Sequence, residues 1–349
     1  MKNLRELKKI FKNKKILITG HTGFKGTWLT AIFDLLDAKI YGISKNYPNN
    51  FFKELKFNNL REKIFDLSDY NQTKKIILKY KPDYVFHLAA QAIVSRSYSH
   101  PLETWKSNLL SFLNILESLR YLNKKTNVVM ITSDKCYLNI EKKSGYKEHE
   151  VLGGHENYSA SKASCEILFQ SYFQSYFKNQ KKIRIATARA GNVIGGGDWS
   201  KNRLIPDIIK SIRKKETLKV RNLSSTRPWQ HVLEPLSGYI YLAINLKNNK
   251  KINGQSFNFG PKTKNYTVKQ VLIIFKKYFK DFKWKKDNKK LFKESKLLKL
   301  NCEKAKNMIK WESKLNFHKT IFNTIKWYNL FKKNPKITNQ QIVEYFNEK

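Results

Sequence analysis

The chain has 349 residues, 41% of them hydrophobic and 13% aromatic, which is enough to bury one large core or two smaller ones. Apolar periodic segments recur along its length, which excludes disorder as the main state, and no run approaches the roughly 20 apolar residues of a membrane span. Lys and Arg number 69 against 27 Asp and Glu, a formal net charge of +42, but only ten of the 69 are Arg and the lysines are dispersed, so the excess reads as solvated surface rather than a nucleic-acid stripe.

The stretch 1–14 is basic and amphipathic and has no apolar h-region, so the expected location is cytoplasmic. KKILITG (14–20) is a strand-like run ending in Gly, followed by a helical pattern over 27–38 and a second strand, KIYGIS (39–44). A polar break (45–50) and a short strand at 62–67 lead to a helix at about 71–80 and a third apolar run at 83–90. A helix over about 104–123 precedes the run 127–134; another, from near Ser159 to Phe177, precedes 183–195. Strand alternating with helix predicts an α/β fold: a Rossmann-type, doubly wound parallel sheet covered on both faces. Beyond about 195 the pattern changes to GGGDW, a helix at 204–214, a short strand at 219–222 and a helix at 231–246. This predicts a cofactor-binding domain over 1–190 and a smaller mixed α/β substrate lobe over 191–349, with the chain crossing back. The Lys-rich stretch 275–310 reads as an exposed helical surface. Cys136, Cys165 and Cys302 are too few and scattered for a disulfide framework, and no C-x-x-C pair suggests a metal.

Three motifs carry chemistry. Gly20-His21-Thr22-Gly23-Phe24-Lys25-Gly26 follows a strand and opens a helix. Gly20 suits a tight turn, Gly23 a close backbone approach to a pyrophosphate, and Gly26 helix–strand packing; the helix N-terminus offers free N–H groups. The acidic residue expected after the second strand is replaced by Ser44-Lys45. Lys45 could face a 2′-phosphate, so NAD and NADP both stay open here, while Asp66-Leu67 lies where an adenine amine could be met. Tyr158 and Lys162 are spaced i, i+4, which puts them on one helix face, where an ammonium would lower a phenol toward a working general base. Thr132-Ser133-Asp134-Lys135 ends a strand, where ligand crevices of parallel sheets form. His21, His87, His155 and His231 read as hydrogen-bonded structural histidines.

Together these motifs resemble the extended short-chain dehydrogenase/reductase family. HLAAQ (87–91), TSDKCY (132–137), LGGHENYSASKA (152–163), ARAGNVIGGGDW (188–199), RLIPDII (203–209) and TRPWQHVLEPLSGY (226–239) are similar to its CDP-glucose 4,6-dehydratase branch, over about residues 14–260. The resemblance implies NAD as cofactor, held by the Gly20–Gly26 loop, Ser44, Asp66, Leu67, Leu88, Ala89, Ala90, Tyr158 and Lys162. It implies that Tyr158, helped by Lys162 and Ser133, takes the proton of the sugar 4-hydroxyl while the C4 hydride moves to the cofactor. The 4-ketone acidifies C5–H; a base removes that proton, Asp134 protonates the C6 hydroxyl, and the hydride returns to C6. The C5 base is Lys135, or Lys135 stabilises the enolate while another group takes the proton. Gln91, Arg96, Asn192, Leu204, Ile205 and Arg227 are the residues expected at CDP-glucose. The resemblance also implies a homodimer or homotetramer and a deoxysugar destined for a lipopolysaccharide O-antigen. Competing readings are a nucleotide-sugar 4-epimerase or a dehydratase of a dTDP-, UDP- or GDP-sugar, and, more distantly, a basic nucleic-acid-binding protein on an inactive scaffold.

Overall fold

In the computed structural model, residues 2–262, 266–287 and 297–348 are described. Strands β1 (Lys15–Thr19), β2 (Lys39–Ser44), β3 (Leu60–Ile64), β4 (Tyr84–His87), β5 (Thr126–Ile131) and β6 (Ile183–Ala190) are joined by a strand at Ser256–Phe259. The spatial order is Ser256–Phe259, β6, β5, β4, β1, β2, β3, and every pairing is parallel. The direction of winding reverses between β1 and β4, so a crevice opens at their carboxyl ends.

Alternation along the strands feeds two cores. Ile16 and Ile18 of β1, with Val129 and Ile131 of β5, pack on one face against Phe24–Leu35 and Leu233–Asn248, two helices with long buried stretches. Leu17, Val128 and Met130 point the other way, toward helices Tyr70–Tyr80, Ser111–Arg120 and Asn157–Tyr172. Burial on both faces explains why these strands read as continuous apolar runs.

Several elements differ from expectation. The helix expected over 104–123 starts at Pro101 and contains a π turn at Lys106–Leu110 before continuing as Ser111–Arg120. Within 275–310 the described residues hold the end of helix Val268–Tyr278, a short strand at Trp284–Lys286 paired with Leu218–Val220, and helix Glu303–Ile309; 288–296 lie outside the described residues. The last 85 residues, which carry no motif, contribute Trp311, Phe317, Trp327 and Tyr345 to the larger core.

Glu234 ties that C-terminal part down. Its Oε1 accepts the Lys314 and Leu315 N–H groups (2.9 and 2.6 Å), and its Oε2 accepts the Tyr345 hydroxyl (2.9 Å). Burial pushes this carboxyl up to about 7. A carboxyl raised in the folded state binds its proton more tightly there than in the unfolded chain. Its contribution to stability is therefore complete below the unfolded value and is lost as pH rises through about 7. Glu234→Gln keeps the acceptor for both N–H groups and carries no charge. Denaturant titrations should show the variant gaining on the parent between pH 5 and pH 8, by a few kcal/mol; an equal difference at both pH values would contradict this.

Candidate active site

The glycine loop leaves β1 where Gly20 takes φ +72°, a left-handed value that disfavours a side chain. A Cβ there would also lie 2.8 Å from the Ala89 nitrogen, and one on Gly26 would lie 2.0 Å from the Gly20 oxygen. Gly20 and Gly26 thus let the loop lie against β4 and the following helix lie against the loop. Gly23 is different. It is exposed, and a Cβ on it would meet only the Gly20 oxygen, at 3.2 Å, so the space above it is open. It caps helix Phe24–Leu35 with no side-chain bond, which leaves that helix's first N–H groups for an anion. Ser44 accepts the Thr22 N–H (3.2 Å) and so steadies this loop.

His21 is the hydrogen-bonded structural histidine that its reading predicts, which takes its side chain out of the cofactor set, and Lys45 is not an isolated cation. His21 is turned away: its ring lies under Gly42, where a Cβ would clash at 2.4 Å, and its Nε2 meets Glu62 at 2.6 Å. Lys45 pairs with Asp66 at 3.1 Å rather than presenting an isolated cation. Asp66 also accepts the Ser68 N–H, and although burial opposes its charge, that bond and Lys45 keep it below the usual carboxylate range. Leu67 is buried, and its carbonyl accepts from Asn114 and Thr73. Leu88 and Ala89 continue from β4 with their N–H groups bonded to Thr19, and Ala90 follows them.

Across the crevice, helix Asn157–Tyr172 carries Tyr158 and Lys162, both buried. Glu156 caps it, accepting the Tyr158 and Ser159 N–H groups at 2.6 and 3.0 Å. The Ser133 hydroxyl lies against the Tyr158 phenol and donates to Asp134 Oδ1 at 2.9 Å. The Lys135 N–H donates to the same Ser133 oxygen at 3.2 Å. Asp134 is 5% exposed, and burial raises its carboxyl above the usual range. The other Asp134 oxygen occupies the space that a Cβ on Gly191 would need, 1.7 Å away. Burial pushes Tyr158 up to about 12, so Lys162 does not by itself bring the phenol toward neutrality. Lys162 is lowered by burial, and no carboxylate of the described residues is within ion-pair distance of it. Lys135 is half-buried and likewise has no ion-pair partner among the described residues.

Lys25 reaches into the same place. Its ammonium donates to the Tyr239 hydroxyl at 3.4 Å, and burial, then Lys162 and Arg203, push it down to about 7. Tyr239 is itself held above the usual phenol range by burial, with Tyr158 and Asp134 adding to it. Lys25, Asp134, the Tyr158–Lys162 helix and Tyr239 therefore converge from four separated points of the chain.

A family model described as GDP-mannose 4,6 dehydratase matches residues 17–324. The chain belongs to this family of dehydratases. It is 38% identical over 333 residues to a CDP-glucose 4,6-dehydratase of Salmonella typhimurium, covering 92% of each chain. Among solved structures, an epimerase of Methanothermobacter thermautotrophicus superposes with a TM-score of 0.83 at 20% identity, covering 97% of both chains. A dTDP-glucose 4,6-dehydratase of Bacillus anthracis, solved with NAD, superposes with a TM-score of 0.74 at 20% identity, covering 93% of this chain and 98% of that one.

This dehydratase treats the expected substrate residues unevenly. Asn192 takes φ +43° at the end of β6, and its carbonyl accepts the Gln230 N–H, which ties the 192–194 segment to the segment after Arg227. Arg227 is half-buried in a short strand paired with Tyr266–Thr267, and its Nη1 donates to the Thr226 carbonyl. Leu204 is half-buried at the start of helix Leu204–Lys214, whereas Ile205 is 2% exposed and belongs to the larger core. The Gln91 amide is used up: its Nε2 donates to the Ile93 carbonyl and Thr104, and its Oε1 accepts the Ile93 N–H. Arg96 is turned to Glu103 at the surface, with bonds of 2.9 and 2.8 Å. His87 bonds to Thr19, His231 is buried, and both are pushed down to about 3 by burial; His155 is exposed and so is not a structural histidine.

Residues that sequence reasoning missed hold this site in place. Glu166, eight residues after Tyr158, is fully buried and paired with Arg189 of β6 at 2.8 Å. It also accepts from Thr132, Thr187 and Ser256, and Arg189 reaches on to Tyr137. Arg203, named only as part of a motif, pairs with buried Asp198 and donates to the Ala92 carbonyl. The signals were faint: an acid one helical turn beyond Lys162, and a single Gly after β6. The GGG run is explained by aromatic packing, since Cβ atoms on Gly196 and Gly197 would strike Trp327 and Phe51.

Proposed function

We propose that the protein is an NAD-dependent CDP-glucose 4,6-dehydratase, a hydro-lyase converting CDP-glucose to CDP-4-dehydro-6-deoxyglucose and water. The observation that carries this reading is Asp134: a buried carboxyl that desolvation raises above the usual carboxylate range, hydrogen-bonded to Ser133 beside the Tyr158 phenol. An epimerase needs no acid to expel a C6 hydroxyl. The open space over Gly23 and the uncapped helix behind it fit a dinucleotide pyrophosphate. When bound, NAD accepts the C4 hydride and gives it back at C6.

The remaining work falls to this chain. Tyr158 takes the 4-hydroxyl proton, with Lys162 and Ser133 beside it. The Lys162 ammonium, on the same helix, favours the phenolate form of Tyr158. A C–H next to a carbinol is not acidic, and next to a ketone it is, so oxidation comes first. Lys135 takes the C5 proton, and Lys25, Lys162 and Arg203 supply the positive field that favours the enolate. Asp134 gives its proton to the C6 oxygen, and water leaves. Asn192 and Arg227 hold the diphosphate, Arg227 as a charge-assisted donor, with Leu204 against the base. Residues 1–190 form the cofactor domain and 191–349 mainly the substrate lobe. A homodimer or homotetramer is part of the reading, supported by exposed Leu110, Ile167 and Tyr176 on and beside helices Ser111–Arg120 and Asn157–Tyr172. So is a cytoplasmic enzyme feeding deoxysugar into lipopolysaccharide.

The test is to incubate the protein with CDP-glucose deuterated at C4 and no added reductant. Deuterium should appear at C6 of a 4-keto-6-deoxy product. A C4 epimer, or label lost to water, would overturn the reading. Gly191→Ala should cut product formation by about a hundredfold, the low end of what a displaced general acid costs, while dinucleotide still binds. Unchanged turnover would show that Asp134 does not need the place that Gly191 leaves for it.

A further inference from the structure

The Asp134 carboxyl rests on backbone. Its Oδ2 and Cγ occupy the place where a Cβ on Gly191 would stand, so the carboxyl packs directly over that residue. Gly191 follows the last residue of β6, just past the final ladder pair of Ala190 with Phe259 of the edge strand. The next residue, Asn192, turns to φ +43°, and the chain leaves the sheet there. The seat of the carboxyl therefore lies where the ladder has stopped.

One side chain takes over at that point. Gln230 is 1% exposed, and its Nε2 donates to the Gly191 carbonyl at 2.8 Å and to the Phe259 carbonyl at 3.0 Å. A primary amide nitrogen has two donors, and both are used. The Gln230 Oε1 is buried and has no partner among the described residues. What this position uses is thus the NH₂ alone, one donor to each strand end. The backbone around it is fixed as well. The Gln230 N–H donates to the Asn192 carbonyl at 3.3 Å, the Val232 N–H donates to the Ile194 carbonyl at 2.8 Å, and Gln230–His231 pairs in parallel with Val193–Ile194.

We infer that Gln230 is a positioning residue for the elimination step: by clamping Gly191 to the edge strand it sets where the Asp134 carboxyl stands relative to the C6 oxygen. It touches no reacting atom. This rests on the dehydratase reading, which otherwise leaves Gln230 without a task. C4 oxidation runs through Tyr158, on a separate helix, and does not use the Gly191 contact.

Gln230→Met tests it, because methionine keeps the length of the side chain and removes both donors. Thermal melting and dinucleotide binding check the fold. In single turnovers of NAD-loaded protein with CDP-glucose, C4 oxidation should keep the parent's rate. Formation of the 4-keto-6-deoxy product should slow by about 10- to 100-fold, the upper figure being what a misplacement of about 1 Å costs, and reduced cofactor should accumulate. CDP-6-chloro-6-deoxyglucose separates positioning from general damage, since chloride leaves without a proton; on it the variant should match the parent. In an Asp134→Asn background the Met change should add no further loss, as expected of residues that act as a unit. If the Met variant does not fold, Gln230→Glu, which keeps one donor while protonated, carries the same measurements. Equal slowing of oxidation and elimination, equal slowing on the chloro sugar, or parent kinetics throughout would each overturn the assignment. A parent protein that forms no 4-keto-6-deoxy product would instead overturn the dehydratase reading itself.

Discussion

Asp134→Asn is expected to bind dinucleotide and sugar nucleotide normally, oxidise C4, and then stop. Asparagine matches the carboxyl in shape, and its carbonyl can still accept from Ser133 Oγ, which donates to Asp134 Oδ1 at 2.9 Å. It has no proton to give the departing C6 oxygen. General acid–base groups contribute about 10²–10⁴-fold, so product formation should fall by that order. Reduced cofactor should build up, visible by its nicotinamide absorbance. The pH profile of the parent follows from the same group: burial raises Asp134, so turnover should persist above the usual carboxylate range and fall once pH passes its raised value. Normal turnover in the Asn variant would remove Asp134 from the acid's role.

Glu166→Ala should be the most destabilising single change near the site. Burial opposes the charge of Glu166, yet Arg189 and the Thr132 and Thr187 hydroxyls hold it below the usual carboxylate value. Removing it strands the Arg189 guanidinium, 3% exposed, and leaves the hydroxyls of Thr132, Thr187 and Ser256 without their acceptor. Breaking a buried pair from one side costs about 3–5 kcal/mol. The helix bearing Tyr158, the end of β5 and the edge strand Ser256–Phe259 all meet at this carboxylate, so catalysis should fall with stability. Equilibrium unfolding in urea measures the first and single-turnover kinetics the second. A loss under about 1 kcal/mol would mean that the ends of these elements are held by packing alone.

The parallel sheet was legible because its strands are apolar on both faces and are separated by helical periods and glycine punctuation. The glycine loop and the placing of Tyr158 and Lys162 on one buried helix were legible because they depend on local spacing. The partners of Gln91 and Arg96, Thr104 and Glu103, were not legible because a polar side chain near a crevice has the same sequence signature whatever it faces. Ile205 was misread because helix Leu204–Lys214 turns it inward to the core.

The residues by themselves determined what lies within a helical turn or a strand end: Gly20, Gly23 and Gly26 at one turn, Tyr158 above Lys162, Ser133 beside Asp134. Only the tertiary structure decided what those pieces meet. It brought Lys25 to Tyr239, set Gly191 against the Asp134 carboxyl, and closed Glu166 onto Arg189. Local geometry follows from backbone period, which can be read in a sequence. The energies of burying a charge or excluding a Cβ depend on neighbours far away along the chain, and those become neighbours only when the sheet is assembled.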